Sequence, residues 1–464
     1  MKSYPALKPS GHDWLPQVPA HWEIKKVKYL FRLAVDYAPE NNDFELLSVY
    51  TDIGVKPRRE LEERGNRAST TDGYLQVQKG DIIVNKLLAW MGAIGVSHYE
   101  GVTSPAYDIL RPKAKVNSDY YHLLFRCGLY FPEFRRHSRG IMDMRLRLYF
   151  DELGQILVPF PPPEEQAAIV AFIEHKAEEI NDFIAAKTRS IALLREQKTA
   201  LINRAVTQGL SASVPRRDSG IDWLGDVPAH WEVKPIKHFV CINRLALSES
   251  TFSTYEFDYI DIGNVGTGVI VESPERITFV NAPSRARRIV KSGDTIISTV
   301  RTYLKATFHF DKCEDNTIVS TGFAVLTPKE GIVPKYLGYA VQSGCFVEQV
   351  TVNSTGISYP AINSTSFGRI PLIMPPLEEQ AAIVEHIERE TQLIESTITK
   401  AEREIELMQE LKTSLITAAV TGQIDVRDYQ PPTVPRIEYS NQTETHAHDT
   451  ALDELLDERM ETAS

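Results

Sequence analysis

The side chains of this chain best suited to chemistry are cations, and they fall in clusters. Lys56, Arg58 and Arg59 lie together, followed by Arg135, Arg136, Arg139, Arg145 and Arg147. A second set holds Arg285, Arg287, Arg288 and Lys291, then Arg301 and Lys305. Each set has polar and aromatic company, Asn85 and Tyr149 for the first, Ser298 and Tyr303 for the second. The chemistry such groups do is recognition rather than bond making. A guanidinium is a planar fork that meets phosphate oxygens, and its two parallel donors match the O6 and N7 edge of guanine. Contacts to phosphate would position a duplex, and contacts to base edges would specify sequence. A solvated surface of mixed charge is the plain alternative for any one of these residues.

Groups that make or break bonds are harder to find. No G-x-x-x-x-G-K-[ST] loop is present for a nucleotide. Asp261-Ile262-Gly263-Asn264-Val265-Gly266-Thr267-Gly268 is glycine-rich but lacks dinucleotide spacing and reads as a β-turn. Asp81 with Lys86 faintly suggests a nuclease pair, yet the matching stretch keeps Asp294 and puts Thr299 where the lysine would fall. His21 and His230 have no partners at metal-ligand spacing, and Cys127, Cys241, Cys313 and Cys345 are scattered. The expectation is no catalytic residue, no metal site, and free thiols in a reducing compartment.

What must position the cations is a scaffold stated twice. Gly11-His12-Asp13-Trp14-Leu15 with Val18-Pro19-Ala20-His21-Trp22-Glu23 returns as Gly220-Ile221-Asp222-Trp223-Leu224 with Val227-Pro228-Ala229-His230-Trp231-Glu232. Pro161-Pro162-Pro163-Glu164-Glu165-Gln166-Ala167-Ala168-Ile169-Val170 returns as Pro375-Pro376-Leu377-Glu378-Glu379-Gln380-Ala381-Ala382-Ile383-Val384. The repeat is far longer than a solenoid period of about 20–50 residues, so it is a duplicated domain plus connector. Between the shared edges the two middles diverge, and short β-rich runs such as Asp81–Val84, Tyr259–Ile262 and Thr295–Ser298 predict mixed α/β domains. Trp14, Trp22, Trp223 and Trp231 suit core packing at each domain's entrance better than stacking on bases.

The connectors read as long helices. Glu164 to Val206 follows a triple proline, carries acids in its first turn and spans about 64 Å at 1.5 Å per residue. Val170, Ile173, Ile180, Ile184, Ile191, Leu194 and Leu201 recur three and four apart, as do Val384, Ile387, Ile394, Ile398, Ile405, Met408 and Leu415 over 378–420. Lysines Lys187, Lys198 and Lys412 interrupt the stripe. So narrow a seam predicts that the helices pair as a coiled coil, the plain alternative being two amphipathic helices each packed on its own domain. The expected organisation is a domain over 1–160, a helix over 161–210, a domain over 211–374, a helix over 375–425 and an acidic, disordered tail over 426–464.

Composition is that of a soluble globular protein, with 42% hydrophobic and 24% charged residues and no apolar run long enough for a membrane span. The net charge of −11 does not exclude nucleic acid, because nine acids against three arginines lie after Val426. Affinity for a polyanion follows the distribution of charge, not its sum.

With its two W-[LI]-x-x-V-P-x-H-W-E entrances and two P-P-x-E-E-Q-A-A-I-V helix starts, the chain resembles the specificity subunits of type I restriction–modification systems over residues ~11–425. The resemblance implies an α+β, non-catalytic, DNA-reading protein. Two target recognition domains would each bind half of an asymmetric bipartite site on double-stranded DNA. The long helices would pair antiparallel, with an internal pseudo-two-fold repeat, space the domains, and dock two methyltransferase subunits. S-adenosylmethionine, ATP and Mg²⁺ would sit on partners, the last two with the restriction (translocase–nuclease) subunits, in the cytoplasm and with no membrane involved. The other reading of the same residues is a non-enzymatic coiled-coil scaffold whose two domains bind protein or glycan.

Overall fold

The computed structural model describes residues 2–12, 14–60, 71–141, 146–211, 213–357 and 359–430. Arg145 and nearly all of the acidic tail lie outside them. The chain forms two compact units. One takes the residues up to Ile180 together with those from Glu410 on, and the other runs from Asn181 to Gln409.

The first unit opens with a hairpin of β1 (Leu7–His12) and β2 (Leu15–Pro19), then β3 (Glu23–Lys26) and β4 (Phe31–Ala34). There follow β5 (Leu47–Tyr50), β6 (Gly54–Pro57), β7 (Leu75–Val77), β8 (Ile82–Asn85), β9 (Ile94–Val96), β10 (Gly101–Thr103) and β11 (Tyr107–Pro112). The central sheet is antiparallel in the order β4-β11-β8-β9, with Leu110 opposite Leu33 on one side and Ile82 on the other. Every residue of β8 is buried, in keeping with its apolar run Ile82-Ile83-Val84. Helices Ser118–Arg126 and Phe131–His137 follow. The first is capped by the Asn117 side chain, which accepts from the Asp119 and Tyr120 amides. β12 (Leu157–Phe160) then returns to pair antiparallel with β3. An aromatic cluster of Phe31, Tyr121, Phe125, Tyr130 and Phe134 fills the space between.

The second unit repeats this plan. A hairpin of β13 (Arg216–Asp218) and β14 (Asp226–Pro228) leads to β15 (Glu232–Pro235) and β16 (Val240–Ile242). After β17 (Glu256–Ile260), β18 (Glu275–Thr278) and β19 (Ala286–Ile289) come β20 (Thr295–Ser298), β21 (Thr307–His309), β22 (Thr317–Ser320) and β23 (Phe323–Pro328). The sheet order β16-β23-β20-β21 matches that of the first unit strand for strand. Helices Pro334–Gln342 and Gly344–Val352 precede β24 (Pro371–Met374), which closes on β15. The units differ in what is inserted. The second carries an extra four-stranded sheet, β18-β17-β22-β19, whose β17 and β22 are parallel, where the first has the two-stranded pieces β5-β6 and β7-β10.

The long helices run Pro163–Gln208 and Leu377–Val420, against 164–206 and 378–420 read from the heptad pattern. In the first unit Val170, Ile173 and Ile180 are buried, and in the second Ile191, Val384, Ile387 and Ile394 are. The remaining seam positions Ile184, Leu194, Leu201, Ile398, Ile405, Met408 and Leu415 are half-buried. Within the second unit the helices pair antiparallel. Lys187 bonds Glu404 at 2.6 Å, Arg195 bonds Glu402 at 3.0 Å and Lys198 bonds Glu395 at 2.6 Å, one number rising as the other falls. The two seam lysines thus lay their stems along the apolar stripe and put their charges on the opposite helix.

Candidate nucleic-acid interface

The two repeated motifs of the sequence meet in space. In the first unit Glu165, buried in the opening turn of its helix, accepts from Trp22 Nε1 at 2.7 Å and from Tyr4 Oη at 3.1 Å, with His21 Nε2 at 2.6 Å. In the second, Glu379 accepts from Trp231 Nε1 at 2.9 Å and meets His230 Nε2 at 2.8 Å. The next residue locks the helix start to the residue just before the helix Ser118–Arg126 or Pro334–Gln342. Gln166 Oε1 accepts from the Asn117 amide and Gln380 Oε1 from the Val333 amide, both at 2.8 Å. The far helix ends dock beside them. Tyr120 Oη donates to the Val420 carbonyl and Tyr336 Oη to that of Val206. Gly422 and Gly209, both at positive φ, lie against Trp22 and Trp231 so closely that a Cβ would press on the indole. The histidines therefore serve the frame, and Trp22 and Trp231 are core residues unavailable to bases.

On each frame two loops are stapled together. In the second unit the loop after β20 and the hairpin closed by Thr355 and Ala361 are joined by a Val300–Ala361 bridge. The Ile362 amide donates to the Thr299 carbonyl at 2.9 Å, the Arg301 amide to that of Pro360 at 2.8 Å, and Thr302 Oγ1 to Ser354 Oγ at 3.0 Å. Arg301 and Lys305 take the left-handed conformation at φ 53° and 52°, a strain of about 1–2 kcal/mol each that the staple holds. The result exposes Tyr303, Leu304 and Lys305, and sets the Arg301 guanidinium over the Tyr359 ring at 5.0 Å. The first unit does the same with different side chains. The Leu148 amide donates to the Lys86 carbonyl at 2.8 Å, and an Arg139–Arg147 bridge closes the hairpin. Arg135 lies over Trp90 at 5.5 Å, and Lys86 over Tyr149 at 6.0 Å. Cations backed by aromatic rings beside exposed apolar residues suit a surface that meets phosphate and stacked bases.

The structure sorts the cations proposed from sequence. Arg59 pairs with Glu45, Arg136 with Glu133, Arg139 with Glu152, Arg285 with Asp261 and Lys291 with Asp315. Lys56 donates to Tyr99 Oη at 3.2 Å, and Arg58 is half-buried in the same segment. Arg287 lies over Phe279 at 4.8 Å. Arg288 has a buried Nε with no partner among the described residues, and burial pushes its guanidinium below the usual arginine range. The pair with Asp261 instead holds the Arg285 guanidinium above that range. Arg147, Arg301 and Lys305 are exposed, and no ion pair is recorded for them among the described residues. The stapled loops thus gather Arg135, Arg139 and Arg147 in one unit and Arg301 with Lys305 in the other. The sequence reading missed Trp90 and Tyr359, whose place under arginines depends on loops brought together over long separations.

The doubtful reaction sites resolve as structure. Asp81 accepts from the Gln78 amide and takes a forked bond from Arg111, while Lys86 pairs with Asp108 at 3.2 Å. Asp261 caps a short turn with Asn264, so the glycine-rich stretch is a turn. Among the described residues no group of histidine, cysteine and carboxylate side chains is placed to hold a metal, and no helix is long and apolar enough to cross a membrane.

Comparison with known proteins agrees with this architecture. A family model described as type I restriction modification DNA specificity domain matches residues 228–407. The type I restriction enzyme MjaVIII specificity subunit of Methanocaldococcus jannaschii is 23% identical over 429 residues, covering 89% of this chain and 95% of that protein. A chain from a solved type I restriction–modification system, studied for its complex assembly and conformational transition, superposes with a TM-score of 0.62 at 15% identity, covering 88% of this chain and 99% of its own. The HsdS subunit of Thermoanaerobacter tengcongensis does so with a TM-score of 0.51 at 15% identity, covering 88% and 98%. Residues 228–407 thus match a type I restriction modification DNA specificity domain, and over most of its length the chain is similar to a specificity subunit of a type I restriction enzyme.

Proposed function

We propose that each unit reads one half of a bipartite, asymmetric site on double-stranded DNA through its stapled loop pair. The observation that carries this is the contrast between identical frames and different loops. The Trp–Glu lock and the sheet order recur, while the cations and rings mounted on them do not. One scaffold with two unlike reading surfaces is what an asymmetric two-part site requires. The paired helices are the docking platform for two methyltransferase subunits, which bring S-adenosylmethionine. Restriction (translocase–nuclease) subunits bring ATP and Mg²⁺, and the assembly works in the cytoplasm. This chain's own residues bind and orient the duplex.

The test is binding of the full chain to random-sequence duplex over a salt series. Each phosphate contact contributes a slope of about −0.9 in log K against log salt. A slope of several units supports the proposal. A protein- or glycan-binding scaffold would give no duplex binding, or binding indifferent to salt, and either outcome overturns it.

A further inference from the structure

Each unit carries one isoleucine held fully in solvent at the same place in its fold. Ile141 and Ile357 have relative exposures of 99% and 102%. Each follows a glycine at positive φ, Gly140 at 154° and Gly356 at 107°. Each sits in the hairpin closed by the bridge already described, Arg139–Arg147 or Thr355–Ala361. The strand leaving that hairpin makes the same bond in both units, from Leu148 to Lys86 and from Ile362 to Thr299, the residues directly after β8 and β20. The positions are therefore equivalent, although the loops around them share little else.

A fully exposed isoleucine stabilises nothing in the free protein, since its side chain has no apolar area removed from water. Its recurrence in two loops that otherwise diverge assigns it to something both units meet alike. Base sequence is not that thing, because the two units read different half-sites. The shape and stacking of the duplex are common to both. The surroundings favour DNA over a protein partner. Arg139 and Arg147 flank the first tip, and Arg301 over Tyr359 stands beside the second. Apolar side chains mounted among cations are the means by which proteins part a base step from the groove.

We propose that Ile141 and Ile357 are wedges, one per domain, that unstack a base step in each half-site without reading its sequence. The proposal rests on the DNA-reading function. Opening the step would let the loops approach the bases and bend the duplex toward them.

The experiment first selects bound duplexes from a random library with the full wild-type chain, then probes the selected duplex with permanganate, which oxidises unstacked thymines. Wild type should give two reactive patches. Ile141→Ala should abolish one and Ile357→Ala the other, each lowering affinity roughly tenfold, the effect of one buried apolar side chain. Ile357→Leu should keep its patch. Unchanged reactivity and affinity in the double alanine variant overturn the wedge while leaving DNA reading intact. Variants that select a different sequence also overturn it, because the tips would then be reading bases. Variants that bind DNA normally but fail to assemble with a methyltransferase subunit overturn it in favour of a protein contact. If wild type enriches no duplex, the DNA-reading proposal itself fails.

Discussion

Trp22 Nε1 lies 2.7 Å from Glu165, joining the entrance motif to the helix start across 143 residues of sequence. The carboxylate is the shared acceptor for an indole, an imidazole and a phenol, and its side chain is only 10% exposed. Its counterpart Glu379 serves Trp231 and His230 and is 26% exposed. The frame is the same in both units, but the first buries it more deeply.

Glu165→Ala should therefore cost more than Glu379→Ala. The first substitution leaves the Trp22 and Tyr4 donors buried without an acceptor, a penalty of about 2–4 kcal/mol. The second lets water replace part of the lost bond and should cost about 1–2 kcal/mol. Denaturant unfolding of the two variants, followed by tryptophan fluorescence, checks the order. Equal losses would mean that burial does not set the strength of the lock.

The first unit should also weaken in mild acid through His122. His122 lies on the helix Ser118–Arg126, its Nδ1 accepts from the Val96 amide at 3.2 Å, and burial pulls it down to about 4 from an ordinary 6.5, with Arg126 and His98 adding repulsion. Between those values the unfolded chain binds a proton that the folded imidazole refuses. Stability is thus full above about pH 6.5 and is lost as pH falls toward 4. The loss between pH 8 and pH 5 should be about 2 kcal/mol. His122→Asn, whose carbonyl can accept from the same amide, should be less stable overall but lack this component of the pH dependence. A variant that keeps the full slope would assign it to other groups.

The parts of this molecule legible in its sequence are those stated by repetition or period. Along the heptad stripe Val170, Ile173, Ile180 and Ile191 are buried while Ile184, Leu194 and Leu201 are half-buried, a pattern legible locally because side-chain direction is fixed at 3.6 residues per turn. The H-W-E and P-P-x-E-E-Q motifs were visible as recurring strings, but that Glu165 accepts from Trp22 was not, because pairing between distant segments has no local signature. The same limit governs the cations. Arg285 and Arg301 look alike in sequence, yet one is paired with Asp261 and the other lies over Tyr359, and only the folded loops separate them.

That separation leads to the final prediction. Arg301→Gln and Lys305→Gln remove exposed charges that stabilise little in the free protein, so each should leave thermal stability unchanged within about 0.5 kcal/mol. If each contacts one phosphate, each should also lower the salt slope of duplex binding by about one unit and weaken binding to all sequences alike. If Arg301 instead reads a base edge, its loss should cost about 1–3 kcal/mol at one position of the site and leave the rest unchanged. Arg285→Gln should behave differently, because its guanidinium is held by Asp261 at 2.6 Å, and Asp261 also accepts from Tyr259 of β17 at 3.2 Å. Its main effect should be on stability, by no more than about 1 kcal/mol given its exposure. Removing Arg285, Arg287 and Arg288 together would mix that loss with the removal of the half-buried Arg288, so the single variants are the clean comparison. Salt-series binding and thermal unfolding on the same three samples check it. A salt slope that falls for Arg285→Gln but not for Lys305→Gln would move the DNA surface of the second unit from the stapled loops to the extra sheet.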